Sequence, residues 1–132
     1  MRQWVRGVSI FLAASWVSPA LSLAQAAKDS FPQFCEQWMQ KLAERERRNQ
    51  SLIEWREEAG QVKGTYIGYS SQHQCVYKEA KDATPLGKIT YLEVRYEKRG
   101  ATRQEAERNP PQAVETTEVT EIFRFAKGKW VY

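Results

Sequence analysis

The 132-residue sequence predicts an α+β fold, with one N-terminal helix packed on a curved antiparallel sheet of four to six strands. Three observations carry that prediction. Apolar residues recur at three- and four-residue spacing from Phe31 to Leu42, the period of one helical face. Past Leu52 the spacing changes to strict alternation, the period of strands with one buried face. Of the two cysteines, Cys35 lies on the helical stripe and Cys75 among the alternating segments, so a single bridge would tie the two layers together.

The first residues, "MRQWVRGVSIFLAASWVSPALSLAQA", are set apart from this pattern. Arg2 and Arg6 form a short positive region, and Gly7 to Leu23 carries no charge. Pro19 interrupts the apolar run near its end, and Ala24-Gln25-Ala26 supplies the small-x-small pattern that a signal peptidase requires. These parts read as a secretory signal peptide, residues 1–26, followed by a single mature domain, residues 27–132. An uncleaved anchor is the alternative reading, because the apolar run approaches the roughly 20 residues needed to span a bilayer. No later stretch is apolar enough to span, so no membrane span is expected after cleavage. The 20 basic residues, less Arg2 and Arg6, set against 16 acidic ones, leave the mature chain a net charge near +2. The only dense basic cluster, Arg45 to Arg48, contains Glu46 and reads as a solvated helix face, so no nucleic-acid partner is expected.

Within the mature chain, residues 27–30 are a polar lead. Asp29 or Ser30 is placed to cap a helix, and Pro32 suits a first turn. The helix is expected over 31–49, with Phe31, Phe34, Cys35, Trp38 and Leu42 on its buried stripe. A strand at 52–57, a turn through "EAGQ" and a strand at 61–69 follow. Gly64 and Gly68 inside that strand point to bends or to a close neighbour. "SSQHQ" reads as a loop, "CVYKEA" as a short strand and "KDATP" as a polar turn. The stretch 86–100 is the clearest strand, "TRQEAERN" reads as one or two helical turns, and 113–125 is a second long strand. "AKGK" is a hairpin turn that returns the chain as "WVY".

An exported chain meets an oxidising compartment, where an even pair of cysteines usually closes. Closing a loop of about 40 residues stabilises the fold by roughly 3–4 kcal/mol in the chain-entropy model. A redox pair is more often Cys-x-x-Cys, and a four-ligand zinc site exceeds what two cysteines and the single histidine supply. The cysteines therefore read as architecture, with no metal and no cofactor expected.

The helix at 31–49, the long strands at 86–99 and 113–126, and the closing "EIFRFAKGKWVY" together resemble the cystatin-like and nuclear-transport-factor-like cone folds. The resemblance is one of element order, and it implies a sheet curled around the helix. Enzymes built on such cones carry more helix at their start, so the resemblance points away from an enclosed substrate pocket.

Chemistry-bearing motifs are few. "GYSS" lacks the Gly-x-Ser-x-Gly pattern, and no glycine-rich phosphate loop is present. Carboxylate acid–base work would fall to Glu121 or Glu93 with His73. Glu121 shares a strand face with Val119 and Phe123, where an acid is paired or functional unless the strand end has reached water; if strands 86–99 and 113–126 are neighbours, Arg95 is within reach as its partner. His73 in "SSQHQ" reads as a solvated loop histidine. Tyr66, Tyr69, Tyr91 and Arg95 are the binding candidates, because tyrosines on alternating strands offer amphipathic contact area. The sequence thus favours an exported (periplasmic or extracellular) binding or accessory protein over an enzyme. The expected partner is an envelope protein or a small ligand. The alternative is a small cone-fold isomerase or hydrolase.

Overall fold

The structure, a computed structural model, describes residues 14, 15 and 19–132, with side chains from Leu23 in the continuous part. The basic region at Arg2 and Arg6 and most of the apolar run lie outside the described residues. The order of elements is α1 (Pro19–Ser51), β1 (Glu54–Glu58), β2 (Gln61–Glu79), β3 (Pro85–Gly100), α2 (Arg103–Arg108), β4 (Gln112–Ala126) and β5 (Lys129–Val131). All five strands form one antiparallel sheet in sequential order, and α1 packs against it. This is the α+β architecture expected, in an arrangement consistent with a cystatin-like cone.

Helix α1 is longer than its apolar stripe suggested. It begins upstream of residues 27–30, and Pro32 lies inside it rather than in its first turn. The segment "PALSLAQAAKDS" is rich in strong helix formers, Gln25 donates to Asp29 one turn on (2.8 Å), and Ala27 is fully buried. Ser30 is not a cap. Its hydroxyl donates to the Ala27 carbonyl and accepts the indole N–H of Trp130 (both 3.1 Å), so it ties β5 to the helix. The buried row Ala27, Phe31, Cys35, Leu42 continues the expected stripe by one turn towards the N-terminus.

The core is aromatic. Phe31, Phe34, Trp38, Phe123 and Trp130 meet with ring centroids 4.8–6.3 Å apart, and Tyr132 closes over Trp38 and Phe123. Gly87 faces Phe31 so closely that any Cβ there would collide with the ring. At the other end of the sheet the N-cap Thr102 starts α2, whose Ala106 is fully buried, and Arg103 lies over the Trp55 ring at 5.8 Å.

Two hairpins close with two-residue turns in which both residues have positive φ: Ala59 (53°) with Gly60 (77°), and Lys127 (52°) with Gly128 (76°). That is the backbone of a turn whose twist matches the strands it joins.

The main departure from the sequence reading is β2. "SSQHQ" is not a loop between two strands. Gln61–Glu79 is one long strand, broken in register between Tyr69 and His73, where four steps on β2 face only two on β3. Such irregularities bend a strand and turn its side chains. Here the buried parity of β3 changes beside it, from Gly87, Ile89 and Tyr91 to Val94. The sheet curls at this point.

A groove beside the disulfide

The groove follows from three local features. β1 pairs only as far as Thr65, so among the described residues no strand covers the outer edge of β2 from Tyr66 to Glu79. Helix α1 runs along that edge and supplies what a strand would. Asn49 donates to the Ile67 carbonyl (2.9 Å), and the Glu46 carboxylate accepts the Tyr69 N–H (3.1 Å). Beyond Tyr69 the irregular segment swings out, and the facing helix carries small or flexible residues, so the two surfaces do not close.

The result is a cavity of about 600 Å³ between α1 and β2. The helix contributes Pro32, Cys35, Glu36, Met39, Gln40 and Ala43, with Glu46 at one end. The strand contributes Tyr69, Ser70, Ser71, His73 and Cys75. Cys35 and Cys75 are joined in a disulfide (Cα–Cα 6.4 Å), which holds the two walls together and lines the cavity itself. The body of the cavity is apolar, formed by Met39, Ala43, Pro32, the bridge and the Tyr69 ring. Its polar groups are few: Glu36, Gln40, Glu46, two serines and His73.

His73 is better organised than a loop histidine would be. It pairs in register with Tyr91, and its Nδ1 lies 2.7 Å from the Ser71 carbonyl. A carbonyl can only accept, so Nδ1 is the donor there, and in the neutral ring Nε2 has the lone pair. One donor atom from each of Cys35, His73 and Cys75 lies within 4.8 Å of the others.

The remaining sequence candidates are dispersed. Glu121 does not meet Arg95. It lies opposite Ile89 and accepts the Tyr91 hydroxyl at 3.0 Å, while Arg95 pairs with Glu115 across the ladder at 3.1 Å. Register decides this: Arg95 and Glu121 are separated by several pairs along the two strands. Burial, reinforced by the hydrogen bond and charge of Glu121, pushes the Tyr91 hydroxyl well above its usual range. Burial and the Glu121 charge push the Tyr132 hydroxyl up to about 12. Glu121 is thus a core-face acid satisfied by tyrosines rather than by arginine. Glu93 borders a shallow depression with Ile67, Arg95, Glu115 and Thr117, away from the groove. Of the binding candidates, Tyr69 lines the groove. Tyr66 (7% exposed, stacked on Tyr96) and Tyr91 (5%) are buried, Tyr91 bordering a shallow depression beside His73.

Sequence reasoning missed Glu97, the buried acid at the far end of the sheet, which is held by Arg99 and by Lys63 (3.6 Å). The cross-strand pairing of Lys63 with Arg99 and of Thr65 with Glu97 was the signal available, but only once register is known. Sequence reasoning also missed Met39, Ala43 and Glu36, which lie beside the helical stripe rather than on it.

Comparison with protein-family models, with characterised proteins and with solved structures returns no match for this chain. Among the described residues no helix is long and apolar enough to cross a membrane.

Proposed function

We propose that this is an exported, cone-fold binding protein whose α1–β2 groove holds a small ligand with an apolar body. The observation that carries this reading is the groove itself. Its volume of about 600 Å³ lies within the roughly 300–1,000 Å³ typical of small-ligand sites. An apolar interior with a few polar groups at one side is the usual composition of such sites. On the other side of the helix the aromatic rings pack against one another, and the hollow beside Phe34 and Trp130 is smaller, about 270 Å³. The acid–base alternative is less well supported, since Glu93, Glu121 and His73 are not gathered at one place.

Export rests on the leader-like first residues and agrees with the closed disulfide. Cleavage after Ala26 would leave helix residues 27–51 and every wall of the groove intact. The protein recovered from the cell envelope is expected to begin at Ala27, which intact mass reads directly; a full-length chain held in membranes would establish the anchor instead.

The binding reading is tested with an environment-sensitive apolar fluorophore and the Ala43→Trp variant. Ala43 is exposed on the groove wall, so a large ring there fills the cavity without disturbing the core. Wild type is expected to enhance the fluorescence saturably, and Ala43→Trp to lose at least tenfold in affinity at unchanged melting temperature. Equal binding by both proteins would remove the groove as the site. A tagged copy that captures a discrete envelope protein, in a manner blocked by Ala43→Trp, would make the occupant a protein side chain.

A further inference from the structure

The three donors at the groove floor have a second use that the closed bridge conceals. We propose that, with the Cys35–Cys75 bond reduced, Cys35, Cys75 and His73 form a zinc site whose fourth position opens into the groove. This stands apart from the binding reading above, and each can fail alone.

The geometry comes first. Tetrahedral Zn²⁺ with Zn–S near 2.3 Å places two thiolates about 3.8 Å apart, and imidazole nitrogen binds at about 2.0–2.1 Å. The donor atoms of the three residues already lie within 4.8 Å of one another. Opening the bridge lets the two sulfurs part by side-chain rotation, and the hydrogen bonds of Asn49 and Glu46 to β2 remain to hold the walls near one another. His73 and Cys75 are two residues apart on one strand, which puts both side chains on one face. The hydrogen bond from Nδ1 to the Ser71 carbonyl (2.7 Å) engages that nitrogen, so in the neutral ring Nε2 is the one available to a metal. A histidine ligand held through its other nitrogen by a backbone carbonyl is the recurrent supporting arrangement in metal sites.

The chemistry balances. A dithiol reductant donates two electrons and two protons to the S–S bond, giving two protein thiols and leaving itself as a disulfide. Zn²⁺ then displaces both thiol protons. Two thiolates neutralise the ion, and neutral imidazole adds the third protein bond. Three protein ligands and one open position form the Cys₂His pattern of zinc sites that keep a place for water or ligand. Oxidation by a disulfide runs the sequence backwards: the S–S bond re-forms and the ion leaves. The bridge and the metal are therefore mutually exclusive states of one site, and the cavity that both cysteines line gives a reductant its approach from the exposed Cys75 side.

The test titrates the mature protein with Zn²⁺, and with Co²⁺ as a spectroscopic probe, before and after reduction by a phosphine that does not bind metal. Helix content is followed by circular dichroism. Reduced wild type is expected to bind one equivalent, with thiolate-to-cobalt charge-transfer absorption, and to release it when an oxidised dithiol is added. The oxidised protein is expected to bind none. His73→Ala and His73→Gln, which should melt like wild type when oxidised, are expected to bind at least tenfold more weakly when reduced. A reduced chain that loses helix and regains it with Zn²⁺ supports the site. No binding on reduction, loss of helix that Zn²⁺ fails to restore, or equal affinity without His73 would each overturn it.

Discussion

One helix faces two different surfaces. Towards β3, β4 and β5 it is sealed by large rings: Phe31 and Phe123 are 2% and 1% exposed, and Trp130 is hydrogen-bonded to the helix through Ser30. Towards the outer part of β2 it presents Met39, Ala43, Glu36 and Gln40 to a strand that has swung away, and about 600 Å³ stays open. The sealed side is held by packing and the open side by a covalent bond with two side-chain-to-backbone hydrogen bonds. An interface closed by aromatics needs no staple. One left open for a ligand has less burial to hold its walls, and the disulfide ties the open strand to the buried Cys35 of the helix.

Breaking the sealed side should have the largest effect. Phe123→Ala deletes a ring that meets Phe34, Trp38 and Tyr132 with centroids 4.8–4.9 Å away. A loss of roughly 3–5 kcal/mol is expected, as for buried aromatic truncations generally. Met39→Ala, at the edge of the core on the open wall, should cost less than half of that, since the Met39 side chain is itself only half-buried. Denaturant unfolding of the two variants measures the difference. Equal losses would mean that the groove wall is packed in solution.

Removing the staple comes next. The double variant Cys35→Ala/Cys75→Ala releases a loop with a sequence separation of 40. It should lose about 3–4 kcal/mol on the chain-entropy account, a large part of the roughly 5–15 kcal/mol that small domains possess. Hydrogen exchange should rise first in residues 66–79, the edge without a neighbouring strand, and last in β3 and β4. Uniform loosening would show that the bridge supports the whole fold rather than its open side.

A smaller effect is expected at high pH. The hydroxyls of Tyr91 and Tyr132 are raised in the folded protein, Tyr132 to about 12. In the unfolded chain both ionise near their ordinary value of about 10. Above that pH the unfolded state has fewer bound protons than the native state, so stability falls as pH rises. The contribution is fully present below pH 10 and declines from there through pH 12. Tyr91→Phe should flatten part of this decline, which thermal melts from pH 8 to 12 would register.

How much of this was legible in sequence follows from range. The helix stripe, the long strands at 86–100 and 113–125, the Gly-containing hairpins and the Cys35–Cys75 bridge depend on local period or on counting, and all are present in the structure. Gly64 and Gly68 point to bends or to a close neighbour, and the structure has the neighbours: Ile53 and Trp55 at Gly64, Glu46 and the Tyr96 ring at Gly68. The groove was not legible. It depends on a register irregularity between Tyr69 and His73, and register is a relation between strands, invisible in either strand alone. "SSQHQ" has the polar composition of a loop; Ser70, Ser71 and Gln72 form the irregularity itself, and only His73 and Gln74 pair with β3. The partner of Glu121 was misplaced for the same reason: face could be read from alternation, but position along the ladder could not. The start of α1 was lost to Pro32, which usually marks a first turn and here does not.

The smallest expected effect compares the two hairpin turns, one on each side of the molecule. Ala59-Gly60 joins β1 to β2 at the end of the sheet away from the aromatic core, and Lys127-Gly128 joins β4 to β5 at the sealed side. In both, the first residue has a Cβ and a positive φ, 53° for Ala59 and 52° for Lys127. A left-handed residue with a Cβ costs about 1–2 kcal/mol, a cost that asparagine bears more easily because its short amide bonds locally to the backbone. Asn-Gly is the preferred pair for this turn. Lys127→Asn and Ala59→Asn should therefore each stabilise the protein by about 0.5 kcal/mol. The kinetic consequence should differ between them. β5 carries Trp130 into the aromatic core, so Lys127→Asn strengthens a hairpin locked by packing and should chiefly slow global unfolding. β1 is five residues long, with only Trp55 partly buried, so Ala59→Asn should chiefly reduce local opening of Glu54–Glu58, seen as slower amide exchange there. If Ala59→Asn slowed global unfolding as much as Lys127→Asn, the β1 hairpin would belong to the same cooperative unit as the aromatic core, and the division of the molecule into a sealed and an open side would not extend to its dynamics.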